Sequence, residues 1–386
     1  MNAGERLIIS MIVNSISNLP VNSEIQSHFQ KRSLCMKTKY LLTGAAGYLG
    51  SNISRTLIAQ GKEVRALVLK GDPAIAQVPP KAEIVSGDLV DAASVEEFFN
   101  VPHDTEIVVI HCASMVTVSP DLTDKLYAVN VTGTQNIIDA CIKHKVKKLV
   151  YVSSTGAIPE LPRGQVISEP DAFDPAPIVG GYGKTKAMAT QLVLDAVKNH
   201  GLDASIVYPS GISGPNDYGN GYFTNFIIDY WSGKMPAGIS GSFNAVDVRD
   251  LADGVIACTE KGRKGEGYIM SNSAVSMRDL FRLVSENTGA PLVKVILPAF
   301  VARVMAAVSS FISVFTKKTG LLTSFAIYNM TRNNNFSNDK AARELGFRAR
   351  PFEETIRDMA VWLHNDRRIN IADETLKSIR PVPVAA

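Results

Sequence analysis

The sequence predicts an α/β fold: a doubly wound parallel sheet with a smaller C-terminal lobe interleaved into it. Three observations carry that expectation. Short apolar runs alternate with helical patterns from residue 39 onward. A glycine-spaced turn joins the first run to the first helix. The 386 residues suit one large α/β domain of roughly 250–300 residues, or two unequal lobes.

Composition agrees. Hydrophobic residues make up 46% and charged residues 20%, a globular balance that excludes intrinsic disorder. The formal charge is only +3, so the basic excess of a dedicated nucleic-acid binder is missing. The cluster Lys143, Lys145, Lys147 and Lys148 reads as a solvated helix end. Cys35, Cys112, Cys141 and Cys258 form no C-x-x-C pair, and the histidines show no ligand spacing. Neither a metal site nor a disulfide framework is expected, and a reducing cytoplasm fits.

Residues 1–35 are expected to lie outside the fold. Leu7–Ile16 is too short for a membrane span of about 20 residues, and no small-x-small cleavage site follows it closely. Met36-Lys-Thr-Lys reads as a natural start just before a strand. That strand, Lys39 to Thr43, is an apolar run suited to burial on both faces. The turn Thr43-Gly44-Ala45-Ala46-Gly47-Tyr48-Leu49-Gly50 follows, then a helix with Ile53, Leu57 and Ile58 on one face. Gly44 permits a tight turn, Gly47 lets backbone N–H groups approach a phosphate, and Gly50 lets the helix sit close to the strand. The helix N-terminus then suits a pyrophosphate.

The second strand runs from Glu63 to Leu69 and ends on Lys70, without a carboxylate. A carboxylate there would bind the ribose hydroxyls of NAD, whereas Lys70 could attract the 2′-phosphate of NADP. The expected cofactor is NADP in preference to NAD, although Lys70 reads nearly as well as a plain exposed lysine. The third strand, Ala82 to Ser86, ends in Gly87-Asp88-Leu89-Val90-Asp91. Asp91 N-caps a helix with Val95, Phe98 and Phe99 on one face. The fourth, Glu106 to Ile110, leads into His111-Cys112-Ala113-Ser114, whose small residues let a cofactor cross the strand end. A long helix from about Asp121 to His144 turns Leu126, Val129, Ile137 and Ile138 inward.

The fifth strand, Lys148 to Val152, ends in Ser153-Ser154-Thr155. After a loop rich in Pro and Gly, a helix opens with Tyr182 and Lys186, four residues apart on one face. A phenol is a weak acid near neutrality, and a nearby ammonium lowers its pKa. A serine at the strand end can hold a substrate oxygen beside it. This trio suits hydride transfer between a nicotinamide and a carbonyl or secondary alcohol. Y-x-x-x-K is common by chance on helices, so its weight comes from following the fifth strand of a glycine-turn fold.

Taken in order, T-G-x-x-G-x-x-G at 43–50, G-D-L-x-D at 87–91 and Y-x-x-x-K at 182–186 resemble the extended short-chain dehydrogenase/reductase family, from about Met36 to Leu363. The resemblance implies a Rossmann core over 36–210. The substrate lobe is then drawn mainly from 211–375, with segments returning to the core, and 376–386 form a tail. Tyr48 and Leu49 go with the phosphate turn, and Asp88 and Leu89 would contact the adenine. Ala113 and Ser114 would flank pyrophosphate and ribose, and Asn130 would support the central helix and an active-site water. Lys186 would also bind the nicotinamide ribose, and the segment Tyr208–Pro215, with Pro209 and Ile212, would pass the nicotinamide. Ser154 matches the catalytic hydroxyl, with Ser153 and Thr155 as runners-up. Val246–Ala252 and Asn335–Ala341 are family landmarks read as structural. A homodimer through a two-helix pairing is implied as well.

Two branches of the family compete. Nucleotide-sugar epimerases and dehydratases usually carry an arginine for the diphosphate shortly before the V-x-D segment, and Gly241–Ala245 has none. The other branch holds dihydroflavonol-reductase-like and 3β-hydroxysteroid-dehydrogenase-like proteins. Leu297 to Phe315, with Phe300, Met305, Phe311 and Phe315, reads as a core helix or as the wall of a hydrophobic pocket. A peripheral contact with a membrane surface is a further reading, whereas Arg303, Ser309, Ser310 and Ser313 argue against a span. The expected function is an NAD(P)-dependent oxidoreductase of an apolar carbonyl or alcohol. The alternatives are a nucleotide-sugar epimerase/dehydratase holding NAD tightly, and a non-catalytic dinucleotide sensor, against which the complete Ser154–Tyr182–Lys186 set argues.

Overall fold

An apolar run without alternation needs cover on both faces, and strand β1 (Lys37–Thr43) has it: Tyr40, Leu41 and Leu42 are all buried. The computed structural model describes residues 37–302, 304 and 324–379. In it β1 pairs in parallel with β2 (Glu63–Val68) on one side and β4 (Thr105–His111) on the other. With β3 (Glu83–Ser86), β5 (Lys148–Val152), β6 (Ala204–Pro209) and β7 (Gly267–Met270), the seven-stranded order is β3-β2-β1-β4-β5-β6-β7. The order reverses between β1 and β4, so a crevice opens there at the carboxyl ends of the strands.

Helices cover both faces. Leu41, Phe98, Phe99, Ile137, Tyr151 and Val193 share one core, reached by α2 (Ala92–Phe99), α3 (Gly133–Lys143) and α4 (Gly181–His200). On the other face Leu42, Ile53, Leu57 and Val255 pack together, from α1 (Tyr48–Ala59), α6 (Val248–Lys261) and the sheet. A third core, around Ile227, Tyr230, Phe281 and Met359, joins α5 (Tyr222–Trp231), α7 (Met277–Thr288) and α8 (Phe352–Asn365). Asn333 fastens the loop after β5, donating to the carbonyls of Leu161, Pro162 and Gln165, while Ile167 bridges to Phe336.

Three local expectations change. The helix expected from Asp121 begins at Asp124, after Thr123 caps Leu126 N–H, and a π-turn at Ala128–Thr132 interrupts it before α3. The extra residue advances the phase, so Asn130 and Val131 turn inward while Val129 stays half-buried. β2 stops at Val68 and leaves Leu69 exposed. Lys148 is not solvated: it is buried and donates to Asp203 (2.7 Å) and to the Gly262 carbonyl (2.6 Å), because its ammonium lies where β5 meets the loop before β7.

A helix begins at 299, where Ala302 packs with Ile239 and Ile327 while Phe300 is exposed. Met305, Phe311 and Phe315, like residues 1–35 and the end of the tail, lie outside the described residues. Among the described residues no helix is long and apolar enough to cross a membrane.

Candidate active site

The crevice starts where β1 ends. Gly44 has φ +70°, and a Cβ there would stand 2.7 Å from the Ala113 backbone nitrogen. A Cβ on Gly50 would overlap the Gly44 carbonyl, so α1 starts pressed against the turn. Gly47 caps α1 with no side chain, and the first turn carries no carboxylate. Helix α2 differs, since the Asp91 carboxylate accepts from Ala93 N–H (3.0 Å). The α1 N-terminus thus keeps its dipole and its N–H donors for an outside anion, which fits the pyrophosphate of a dinucleotide. Leu49 is buried against the sheet. The Tyr48 hydroxyl donates to the Gly214 carbonyl (2.7 Å), tying the turn to the segment after β6; burial, then Asp217 and Asp247, raise its pKa.

On the adenine side Asp88 is exposed at the end of β3, and its carboxylate accepts from Val90 N–H (3.0 Å). Leu89 is buried, with its carbonyl held by Asn136 (2.8 Å). Lys70 is exposed just beyond β2. Ala113 and Ser114, half-buried, follow β4. The Asn130 side chain is fully engaged within the protein. Its Oδ1 accepts from Ser114 Oγ (3.1 Å) and Met115 N–H (2.7 Å), and its Nδ2 donates to the Met115 carbonyl (2.9 Å) and Thr185 Oγ1 (3.0 Å). All four hydrogen bonds of the amide are therefore made within the protein, and it braces the loop after β4 against α4.

Helix α4 carries Tyr182 and Lys186 into the crevice. Lys186 is 2% exposed; its Nζ donates to the Val152 carbonyl (2.7 Å) and to Tyr151 Oη (3.3 Å). Burial lowers its pKa to about 7. Burial also pushes the Tyr182 phenol up to about 12, against the pull of a hydrogen bond with Ser154. Desolvation is the largest influence on this phenol, and the two hydrogen bonds of the Lys186 ammonium run to β5 rather than to it. The three candidate hydroxyls separate clearly. Ser153 is buried against Thr190 (2.7 Å), and Thr155 donates to the Pro209 carbonyl (3.2 Å). Ser154 accepts from Gly156 N–H (3.0 Å) and is the hydroxyl that acts on the Tyr182 phenol. Pro209 ends β6 and Ile212 is half-buried just beyond it.

One residue lies beyond what sequence reasoning found. His111, at the end of β4, is buried between Thr43 (2.7 Å) and Thr134 (3.0 Å) and stacks on Tyr151. Burial lowers its pKa to about 3, so the ring is neutral. The available signal was a polar residue ending an otherwise apolar strand. The landmark at 246–252 is an ion network: Arg249 forks onto Asp247 (2.9 and 2.7 Å) and reaches Asp358 (2.8 Å), while Arg350 grips Asp250 (2.9 and 2.6 Å). In the arginine-free stretch before it, Asn244 donates to the Asn272 and Asn334 carbonyls.

Known proteins can be set beside this geometry. Residues 40–271 match the model of the NAD dependent epimerase/dehydratase family. The chain is 27% identical over 327 residues to sterol demethylase protein B of Methylococcus capsulatus, covering 83% of this chain and 97% of that protein. It is 28% identical over 333 residues to a 3β-hydroxysteroid dehydrogenase/Δ5→4-isomerase of Mycobacterium tuberculosis, covering 80% and 85% respectively. The crystal structure of gox2253 superposes with a TM-score of 0.75 at 29% identity, over 86% of this chain and 99% of that one. With the family model spanning more than half of the chain and the same glycine turn opening its Rossmann sheet, this protein is an enzyme of the NAD dependent epimerase/dehydratase family, an extended short-chain dehydrogenase/reductase.

Proposed function

We propose that the enzyme transfers a hydride between NADP or NAD and the carbonyl or secondary alcohol of an apolar small molecule, of the 3β-hydroxysteroid or dihydroflavonol class. The observation that carries this reading is the Ser154 hydroxyl acting on the Tyr182 phenol, with Lys186 one helical turn further on. The dinucleotide, when bound, supplies or accepts the hydride. Its holders would be the N–H groups of the 44–50 turn, Asp88 and Leu89, Ala113 and Ser114, Pro209 and Ile212, and Lys186.

The chain's own residues handle the proton. Ser154 fixes the substrate oxygen. In reduction Tyr182 passes its proton to that oxygen as hydride reaches the carbon; in oxidation it takes the proton back. Its pKa of about 12 keeps it protonated before turnover. The Lys186 charge then stabilises the phenolate left behind.

An apolar substrate is supported by the lack of an arginine in 241–245, where Asn244 is occupied by backbone carbonyls. Two of the similar proteins are named for sterol or steroid chemistry. NADP is supported by Lys70 and by the missing carboxylate after β2. Free thiols at Cys112, Cys141 and Cys258 support a reducing cytoplasm. A homodimer, and a peripheral membrane contact near Phe300, belong to the same reading.

The test is a titration with NADH and NADPH, followed by turnover assays on steroid, flavonoid-like and nucleotide-sugar substrates. Tight NAD retention with nucleotide-sugar turnover would replace this reading by an epimerase or dehydratase. Cofactor binding without turnover on any of them would make the protein a sensor.

A further inference from the structure

A row of aromatic rings leads out of the third core. Tyr230 of α5 lies against Phe281 of α7, with ring centroids 5.1 Å apart. Phe226 stacks on Phe281 at 6.0 Å and 17° between planes, and Phe223 on Phe226 at 5.8 Å and 17°. The last ring is Phe243, on the short strand Ser242–Phe243 inside the arginine-free stretch. It stacks on Phe223 at 5.1 Å, with the two planes 1° apart.

Two observations bring the outer end of this row toward the proposed reaction. The Phe243 ring lies on bare backbone, because a Cβ on Gly211 would stand 2.8 Å from its Cζ. Gly211 opens the strand Gly211–Ser213 two residues after Pro209, whose carbonyl accepts from Thr155 (3.2 Å), the neighbour of Ser154. Burial also falls along the row. Phe281 and Tyr230 are 0% and 2% exposed, whereas Phe226, Phe223 and Phe243 are only half-buried. Rings that merely filled a core would be covered along the whole row, since apolar area left in water is stabilisation forgone. Among the described residues Phe223 alone stacks on Phe243, so one face of the outermost ring carries no ring.

We propose that Phe243 is a specificity-determining residue: its unstacked face receives a flat, unsaturated ring of the substrate, and Phe223 behind it fixes the plane. The inference rests on the apolar carbonyl or alcohol proposed as substrate, and it narrows that class to skeletons with an aromatic or conjugated ring. A flat ring continues the row at stacking distance, with offset faces in contact. A saturated ring is held off by its axial hydrogens and meets less of the face. A diphosphate is refused at the same place. The face of an aromatic ring is negative, and the neighbouring Asn244 has committed its Nδ2 protons to the carbonyls of Asn272 (2.6 Å) and Asn334 (3.1 Å).

Calorimetry on the full chain loaded with oxidised NADP tests this. A ketone cannot be reduced in that complex, so the titration reads binding alone. β-Tetralone and β-decalone share one skeleton and one carbonyl, and differ in having a flat or a saturated second ring. Phe243→Leu keeps the apolar bulk and removes the stacking face. It should lower the ratio of β-tetralone to β-decalone affinity by roughly 3–10-fold, with cofactor affinity and thermal midpoint close to wild type. Phe223→Leu should lower the ratio in the same direction, and it carries the test if Phe243→Leu folds poorly. No binding of β-tetralone by the wild type, or a ratio unmoved in both variants, overturns the proposal. Ketone reduction with NADPH separates the two claims. A ratio that falls in the variants while the wild type reduces no ketone removes the proposed function and leaves the stacking face. Ketone reduction with an unmoved ratio removes only this inference.

Discussion

Lys186 at the end of β5 and Arg249 at the start of α6 are both drawn away from bulk water, and their partners differ in charge. Arg249 meets carboxylates: Asp247, which is fully buried, and Asp358. Burial works against its charge, yet the bonds to Asp247 and Asp358 hold its pKa above the ordinary range. Lys186 meets a carbonyl, a phenol and the face of a ring, and burial prevails. A cation answered by anions is locked and serves the scaffold. A cation answered by dipoles alone stays close to releasing its proton, and that is the one a helical turn from the phenol proposed to carry the proton.

Changes on each side of this contrast should behave differently. The largest effect is expected from Tyr182→Phe: turnover should fall by about 10²–10⁴-fold while the affinity for NADPH, read by fluorescence titration, stays close to wild type. Retained turnover would break the contrast at its reactive end. Asp247→Ala leaves Arg249 without its buried partner and should lower the unfolding free energy by about 3–5 kcal/mol in a denaturant titration. A loss under about 1 kcal/mol would mean that the network is surface-like.

The third expectation concerns pH. Lys186 has a folded-state pKa of about 7, against about 10.4 when unfolded. Between those values the unfolded chain binds a proton that the folded chain does not, so this group's contribution to stability rises with pH from about 7 to 10. Below about 7 both states are charged and the burial cost is complete. Lys186→Met should therefore be most stabilising, relative to wild type, at or below neutral pH, with the gap closing as pH climbs. Carbonyl reduction should move the other way, with kcat/KM falling as the ammonium is lost above about pH 7. A gap that widens with pH would contradict the assignment. The smallest effect belongs to a cation left in water: Lys70→Glu should shift the NADPH-over-NADH preference by roughly 3–10-fold, since exposed charges are screened.

The sheet was legible because parallel strands covered on both faces leave unbroken apolar runs, such as Tyr40-Leu41-Leu42 and Leu149-Val150-Tyr151-Val152. The glycine turn was legible because Gly44 and Gly50 answer to local geometry. The π-turn at Ala128–Thr132 left no such trace, since its extra residue is accommodated by distant packing, including Gly133 against Leu89. Two-residue strands such as Gly238–Ile239 are too short to show a period. Ser154 was placed first among three adjacent hydroxyls, but the partners that set Ser153 and Thr155 apart come from α4 and β6. Tyr151 looked like an ordinary strand tyrosine, because only the fold brings Lys186 to its hydroxyl.

The asparagine clip has a practical side. The peptide between the serine of β5 and the tyrosine of α4 is fastened by residues 333–336, far along the chain. Anyone recombining this enzyme with a relative at a single crossover between residues 168 and 332 would take that loop from one parent and its fasteners from the other. The smallest graft that transplants the loop intact is discontinuous, and must carry both stretches from the same donor.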